Sequence, residues 1–183
     1  MLKKPTILNR QDVCQSRLFA IESMDIVFSN GEQRQYERLK RNGSYGAVLI
    51  VPLLDDETVL LIREYSAGVD RYELGLPKGK IDANEAVLEA ANRELKEEVG
   101  YGAKNLQQLT SLTLAPGYME HNIHIIVAQD LYPEKLEGDE PEELEVVPWK
   151  LSDIKGLIAT QECSEARSIA ALYMTADYLR SIK

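Results

Sequence analysis

Three glutamates, Glu94, Glu97 and Glu98, are spaced so that their carboxylates meet on one face of a helix. Residues three and four apart are neighbours on a helix, so the three side chains fall within about one turn. Like charges this close are unfavourable unless something neutralises them, and a divalent cation does so because it takes carboxylate oxygens as ligands. The spacing suggests a divalent-metal site. The alternative, a solvated acidic face of an acidic protein, stays open at this point.

A longer pattern surrounds these glutamates. From Gly79 the chain has five residues, then Glu85, then seven residues, and then Arg93-Glu94-Leu95-Lys96-Glu97-Glu98-Val99-Gly100-Tyr101. The specified Gly, Glu and Arg positions match by chance on the order of once in a hundred million windows. The stretch resembles the Nudix box, GX5EX7REUXEEXGU, in which U is a bulky aliphatic residue. The one departure is Tyr101 at the last position, where a large hydrophobic side chain can still pack.

The resemblance implies an enzyme that uses a divalent metal to hydrolyse a nucleoside diphosphate linked to another moiety, X. By resemblance, Glu94, Glu97 and Glu98 hold the metal. We expect Glu94 and Glu98 to be the principal ligands, and Glu97 to coordinate a metal or to tune its bound water. Mg²⁺ is the expected ion, with Mn²⁺ able to replace it.

Other residues of the box are expected to support these ligands. Gly79 permits a tight loop and an unhindered backbone, so the carbonyl groups of Lys78 and Gly79 are expected to face the metal. Arg93 is expected to pair with Glu85 and to orient Glu94.

The residues outside the box resemble a narrower group. Pro116 is similar to a marker of ADP-ribose and ADP-sugar pyrophosphatases, and Tyr118 to a marker of diadenosine polyphosphate hydrolases. Together with Ile62–Tyr65, Tyr72–Gly75 and Ala128–Glu134, these residues resemble the bacterial ADP-compounds hydrolases. The resemblance implies cleavage of ADP-ribose, NADH and diadenosine polyphosphates to AMP plus X-phosphate, without ranking these substrates.

The group that activates water is less clear from the pattern. ADP-ribose pyrophosphatases usually place a glutamate five residues after the marker proline, where this chain has His121, with Glu120 one residue earlier. Glu120 is one candidate for the general base, and His121, which can polarise water at neutral pH, is the other. Either residue could instead be an ordinary exposed loop residue.

Several side chains are candidates for holding the substrate. Tyr118 could stack on adenine, because an aromatic face suits any base. Arg63 and Arg71 are candidates for binding phosphate through paired hydrogen bonds, and Lys80 is a weaker candidate for the same role. For each of them, an ordinary structural or surface role is the alternative.

Two other functions compete with the ADP-X hydrolase. One is hydrolysis of nucleoside triphosphates or other nucleotide sugars on a similar core. The other is a non-catalytic Nudix protein that binds ADP-ribose or NAD as a sensor. A pure binder has no need for three mutually repelling acids, so the intact set Glu94, Glu97 and Glu98 argues against the sensor.

Composition excludes several other classes. The 183-residue chain carries a formal net charge of −9, so a broad nucleic-acid surface is not expected. Its two cysteines, Cys14 and Cys163, support neither a zinc site nor a disulfide scaffold. The sequence has no apolar run long enough to span a membrane and no secretory signal, so we expect no membrane partner and a cytoplasmic location.

The surrounding elements predict an α+β fold with two domains. Residues 1–44 read as an antiparallel β-sheet with an Asn30-Gly31 turn and a boundary near 41–44. By resemblance, this sheet is a dimerisation element that is exchanged between subunits, and the chain is a homodimer. Residues 45–183 read as the Nudix hydrolase domain, a mixed sheet between helices in an α/β/α sandwich.

Within the second domain, the helix that carries the three glutamates is predicted over residues 84–99. Asn84 would cap it, Glu85 would complement its positive end, and Gly100 would end it. Its apolar stripe would contain Val87, Leu88, Ala91, Leu95 and Val99. The other predictions are strands at 46–54, 58–65, 71–76, 106–114, 123–130 and 146–149, an acidic loop at 134–145, and helices at 151–158 and 165–182.

Overall fold

A computed structural model describes residues 2–40 and 45–182. The boundary predicted near 41–44 lies outside the described residues. The chain divides into two compact units, and each is described by itself. One unit combines the N-terminal sheet with residues 113–122, which the sequence analysis assigned to the second domain. The other contains residues 45–112 and 123–183.

The N-terminal unit is built on three antiparallel strands, β1 (Thr6–Gln15), β2 (Ala20–Val27) and β3 (Gln33–Lys40). The turn between β2 and β3 contains Gly31 at φ +87°, a conformation that glycine adopts without cost. Residues 113–122 join the edge of β3. There the Leu39 N–H donates to the Tyr118 carbonyl at 2.8 Å, and the Glu120 N–H donates to the Leu39 carbonyl at 2.9 Å.

The second unit contains the remaining strands and all the described helices. Its elements are β4 (Ala47–Pro52), β5 (Thr58–Ser66), β6 (Arg71–Gly75), β7 (Lys78–Lys80), α1 (Val87–Glu98), β8 (Tyr101–Thr113), β9 (Asn122–Pro133), β10 (Glu145–Lys150), a 3₁₀ turn (Leu151–Asp153), α2 (Ile154–Ala159) and α3 (Ala166–Ser181). They form a four-stranded sheet in the order β7-β4-β9-β8 and a three-stranded sheet in the order β10-β5-β6. Strands β4 and β9 are parallel, whereas β7 runs antiparallel to β4.

The core of this unit lies on both faces of its strands. Along β4, Leu49 and Val51 pack in a cluster with residues of α2 and α3, while Val48 and Ile50 pack in a second cluster with residues of α1. A strand buried on both faces is continuously apolar, which is why β4 could be recognised in the sequence. The predicted fold class, a mixed sheet between helices with an additional antiparallel sheet, is confirmed.

The start of α1 differs from its prediction. The helix begins at Val87, and Asn84 does not cap it but lies in the preceding turn at φ +66°. The first turn is instead closed by Glu89, whose carboxylate accepts from the Ala86 N–H at 3.3 Å. Leu88, predicted to face the core, is 40% exposed. The prediction for the other end is confirmed, because the helix stops at Glu98 and Gly100 has φ +80°.

Two further details of the second unit were not predicted. The short strand β7 was not predicted, because only its pairing with β4 makes these residues a strand. Strand β8 begins directly after Gly100 rather than near residue 106. None of the described helices is long and apolar enough to cross a membrane.

Candidate active site

A cleft of about 620 Å³ brings the residues of the box together. Its described lining comes from β5, from β7 and the turn that follows it, from α1, and from the acidic loop between β9 and β10. The lining residues are Glu64, Lys78, Gly79, Lys80, Asp82, Arg93, Glu94, Glu97, Glu98, Glu137, Gly138, Asp139, Glu140 and Pro141. Seven of the residues selected from sequence are among them: Lys78, Gly79, Lys80, Arg93, Glu94, Glu97 and Glu98.

Arg93 organises one side of this cleft. Its Nε and Nη2 donate to the two carboxylate oxygens of Glu85 at 2.8 and 3.0 Å. Its Nη1 donates to Glu94 Oε1 at 2.8 Å and to Glu97 Oε2 at 2.9 Å, and Nη2 also donates to the Lys80 carbonyl at 3.0 Å. The predicted pairing of Arg93 with Glu85 is confirmed. These hydrogen bonds raise the pKa of Arg93 and lower that of Glu85, so both groups stay charged.

Glu98 lies deeper and has a different partner. Its residue is 4% exposed, and its Oε2 accepts the Lys78 N–H at 2.8 Å. Burial raises the pKa of Glu98 to about 8. Burial also raises the pKa of Glu94, although Arg93 opposes this, and the charges of Glu97 and Glu140 add to the rise. The site thus holds carboxylates that are costly to ionise in the absence of added positive charge.

These side chains fit a divalent metal. A Cβ atom on Gly79 would lie 1.8 Å from the carboxylate carbon of Glu94, so only glycine lets that carboxylate approach the β7 backbone. The donors on hand, carboxylate and backbone carbonyl oxygens, are those that Mg²⁺ and Mn²⁺ prefer. Among the residues that the structure describes, no three acidic, histidine or cysteine side chains are arranged as a metal-ligand group. Instead, Arg93 engages Glu94 and Glu97, and the Lys78 N–H engages Glu98.

Glu64 belongs to the cleft and was not selected from the sequence. Its carboxylate forms an ion pair with the Lys78 ammonium group, and its charge contributes to the raised pKa of Glu98. Lys78 therefore contributes a positive side chain as well as its backbone. Glu64 lies in β5 and Lys78 in β7, and no local spacing links two residues that meet only through the fold.

The acidic loop is the second part of the site that sequence reasoning missed. Two backbone bonds fix its start against the end of α1: the Glu134 N–H donates to the Gly100 carbonyl at 3.1 Å, and the Leu136 N–H donates to the Lys96 carbonyl at 3.2 Å. Glu140 then lines the cleft with its neighbours. A charge run is usually a solvated surface, so its sequence alone did not mark this loop as part of the cleft.

Tyr118, Glu120 and His121 lie in the N-terminal unit. Tyr118 is 58% exposed. Glu120 forms an ion pair with Arg38 at 3.3 Å, and the same guanidinium binds Glu22 at 2.9 Å. Their proposed roles in base activation and adenine stacking stay predictions.

Among the described residues, the two candidate phosphate-binding arginines bind side chains that do not line the cleft. Arg63 donates to Glu145 at 2.7 Å and to Glu162 at 3.1 Å. Arg71 donates to Glu73 at 2.6 Å and to Ser164 at 3.1 Å. To bind phosphate, either arginine would have to exchange these partners.

Comparisons with known proteins identify the family of this chain. Residues 5–38 match the NudE-type Nudix hydrolase N-terminal domain, and residues 44–170 match the NUDIX domain. The chain is 52% identical over 179 residues to the ADP compounds hydrolase NudE of Escherichia coli (strain K12), covering 98% of this chain and 95% of that protein. It is 28% identical over 173 residues to the ADP-ribose pyrophosphatase of Bacillus subtilis (strain 168), covering 93% and 91%.

A solved structure extends the agreement to three dimensions. The crystal structure of an ADP compounds hydrolase matches with a TM-score of 0.92 and 51% identity, covering all of this chain and 97% of the other. The resemblance drawn from the sequence is therefore confirmed. Nudix hydrolases depend on divalent metals. The oxygen donors in the cleft of this chain suit such ions. The chain belongs to the Nudix hydrolase family.

Proposed function

We propose that this enzyme hydrolyses the pyrophosphate bond of ADP-X compounds, among them ADP-ribose, NADH and diadenosine polyphosphates, to AMP plus X-phosphate. The observation that carries the proposal is the cleft that Glu94, Glu97 and Glu98 line together with Lys78 and Lys80. Similarity over nearly the whole chain to an ADP compounds hydrolase and to an ADP-ribose pyrophosphatase supports the substrate class.

The charge of the cleft explains why the reaction would need metal. Acidic side chains outnumber basic ones in the lining by eight to three. Such a cleft repels a pyrophosphate unless added cations compensate the excess. Glu94 and Glu98 would hold Mg²⁺ or Mn²⁺, with Glu97 and the carbonyls of Lys78 and Gly79 completing the donor set. A bound divalent ion neutralises phosphate oxygens and lowers the pKa of water.

The protein's own groups would orient the reacting phosphates. Lys78 and Lys80 line the cleft, and their ammonium groups would pair with phosphate oxygens, Lys78 by exchanging its ion pair with Glu64. Arg93 holds the side chains of Glu94 and Glu97 through hydrogen bonds, so these carboxylates are already positioned when a substrate binds. Such preorganisation accelerates a phosphoryl transfer mainly through alignment and charge stabilisation.

Glu140 is the side chain that we nominate to accept the proton of the attacking water. It lines the cleft, and its charge is felt at Glu94. Glu120 and His121 are the competing candidates from the sequence. Glu140→Gln should lower kcat by about a hundredfold, the usual contribution of a general base, whereas Glu120→Gln should lower it by less. The reverse order would transfer the role to the N-terminal unit.

A substrate panel tests the proposed function. The full-length enzyme is incubated with Mg²⁺ or Mn²⁺ and with ADP-ribose, NADH, diadenosine triphosphate, GDP-mannose or ATP, and the products are separated by chromatography. We expect AMP from the first three, with ¹⁸O from labelled water in one of the two phosphate products. Preferential turnover of GDP-mannose or ATP would favour the alternative hydrolase, and binding of ADP-ribose without turnover would favour the sensor.

We also propose that the enzyme is a homodimer whose interface includes the N-terminal sheet. The described part of that unit buries little apolar surface, while Leu8, Val13 and Phe19 are each more than half exposed. A three-stranded sheet of this kind needs further packing to be stable. Val13→Asp should reduce the mass measured by light scattering to that of a monomer. Leu54→Asp, at another exposed apolar residue, is the matched control and should leave the mass unchanged.

A cytoplasmic location completes the proposal. Cys14 and Cys163 are both free thiols, as expected in a reducing compartment. Burial raises the pKa of the Cys163 thiol to about 11, so it stays protonated and unreactive. Separating cell fractions and blotting for the protein would test this location.

A further inference from the structure

Ser168 is a buried hydroxyl on α3, the helix farthest along the chain from the box. Its residue is 1% exposed. The Oγ donates to Glu165 Oε2 at 2.9 Å and accepts the Leu76 N–H at 3.2 Å. Glu165 is in turn held by the Ser168 N–H at 2.7 Å and by Arg167 Nε at 2.6 Å. The O–H of Ser168 therefore points to Glu165, which leaves the oxygen free to accept the Leu76 N–H.

Leu76 is the first of four residues, 76–79, that lead into the cleft, whose lining includes Lys78 and Gly79. The next residue, Pro77, accepts the Ile50 N–H at 2.9 Å. Lys78 donates its N–H to Glu98 at 2.8 Å, and Gly79 lies against the carboxylate of Glu94. Each of these four residues is thus fixed by a different partner, and the partner of the first is Ser168.

We propose that Ser168 is a positioning residue for the part of the cleft where Lys78 and Gly79 meet Glu98 and Glu94. By fixing the Leu76 N–H, its hydroxyl sets where the Lys78 N–H and the Gly79 backbone meet Glu98 and Glu94. This inference rests on the proposed function, because it concerns the same carboxylates. Outer groups that orient ligands in this way typically change metal affinity or activity by about 10- to 100-fold when removed.

Thr175, two turns along the same buried face of α3, offers a matched comparison. It is fully buried, as Ser168 nearly is, but its Oγ1 has no hydrogen-bond partner among the described residues. Removing that hydroxyl changes the interior of α3 without touching the chain at Leu76. The two positions therefore separate loss of a buried hydroxyl from loss of the contact with Leu76.

The test measures Mn²⁺ binding to the full-length protein by electron paramagnetic resonance, without substrate. We expect Ser168→Ala to raise the Mn²⁺ dissociation constant by about tenfold. With saturating Mn²⁺, its KM for ADP-ribose should stay within about twofold of wild type while kcat falls. Thr175→Val should bind Mn²⁺ as wild type does. Equal Mn²⁺ binding by Ser168→Ala and wild type would overturn the proposal, whichever substrate the enzyme prefers.

A second pair of variants keeps the test decisive if Ser168→Ala does not fold. Ser168→Thr and Ser168→Val have the same shape and differ only in the hydroxyl. We expect the threonine variant to keep Mn²⁺ affinity and slow exchange of the Leu76 amide hydrogen, and the valine variant to lose both. Equal behaviour of the two variants would show that packing alone matters at this position. Because Mn²⁺ binding needs no turnover, the proposed function can fail in the substrate panel without affecting this result.

Discussion

Arg38 and Arg93 each bridge carboxylates, and the balance of charge around these two arginines differs. In the N-terminal unit, Arg38 pairs with Glu22 and Glu120, and Arg10 also reaches Glu22, so two acids meet two bases. In the second unit, the single guanidinium of Arg93 pairs with Glu85, Glu94 and Glu97.

The difference teaches where to look for function. A balanced cluster such as that around Arg38 is complete without further ions, and its carboxylates need nothing more. The cluster around Arg93 has more negative charge than its arginine can neutralise, and Glu98 lies beside it with a raised pKa. Unbalanced buried charge is costly to a fold unless a ligand compensates it, so it marks a functional site.

The largest effect on activity should come from removing a carboxylate beside the cluster around Arg93, where negative charge is in excess. We expect Glu98→Gln to lower kcat by about a thousandfold or more, because one metal donor is weakened. The melting temperature should not fall, since burying a neutral amide costs less than burying the carboxylate. Steady-state kinetics and calorimetry measure the two quantities. Near-normal turnover would remove Glu98 from the mechanism.

In the cluster around Arg38, where the charges balance, a Glu→Gln substitution should lower the stability of the fold rather than the activity. Glu22 is 5% exposed and accepts from Arg38 at 3.0 Å, so Glu22→Gln should destabilise the protein by roughly 1–3 kcal/mol. Urea unfolding measures this change. Mn²⁺ affinity should stay within about twofold of wild type. A tenfold or larger loss of Mn²⁺ affinity in Glu22→Gln, a size typical of losing a group that orients metal ligands, would erase the distinction between the two clusters.

Glu85 should show how firmly Arg93 holds its partners as pH changes. Arg93 lowers the pKa of Glu85 in the folded state below its ordinary value of 4.5. The ionised carboxylate thus stabilises the fold above that ordinary value, and the contribution is lost as pH falls through the lowered pKa. We expect Glu85→Gln to be less stable than wild type at pH 7, with the difference shrinking below about pH 4.5. Denaturant unfolding across this range would reveal a constant difference if the pairing were unimportant.

The smallest effect is expected from the outermost pair. The Arg10 side chain is half exposed, and its contact with Glu22 is 3.4 Å long. Exposed pairs contribute little, so Arg10→Ala should change the free energy of unfolding by about 0.5 kcal/mol or less. A loss as large as that of Glu22→Gln would mean that Arg10, rather than Arg38, neutralises the buried acid.

The contrast between the two clusters also explains what could be predicted from the sequence. Glu85, Arg93 and Glu94 lie close together along the chain, so the pairing of Arg93 with Glu85 could be predicted from the sequence. The hydrogen bond from Arg93 to Glu97 was not predicted. Strand β4 could also be predicted, because its apolar residues form one continuous run in the sequence. Glu64 and Glu140 reach the cleft only through strand pairing and loop anchoring, which no local spacing records. The start of α1 was misjudged because Asn84 suits a turn with positive φ as well as a helix cap.

The central claim is that the carboxylates of Glu94 and Glu98 hold a divalent metal beside the pyrophosphate. Crystals soaked with Mn²⁺ and a non-hydrolysable ADP-ribose analogue would test it through the anomalous signal of manganese. We predict at least one peak about 2.0–2.3 Å from oxygens of both carboxylates, next to a phosphate of the analogue. Manganese peaks that lie away from both carboxylates, with Glu94 hydrogen-bonded only to Arg93 and Glu98 only to the Lys78 N–H, would contradict the account.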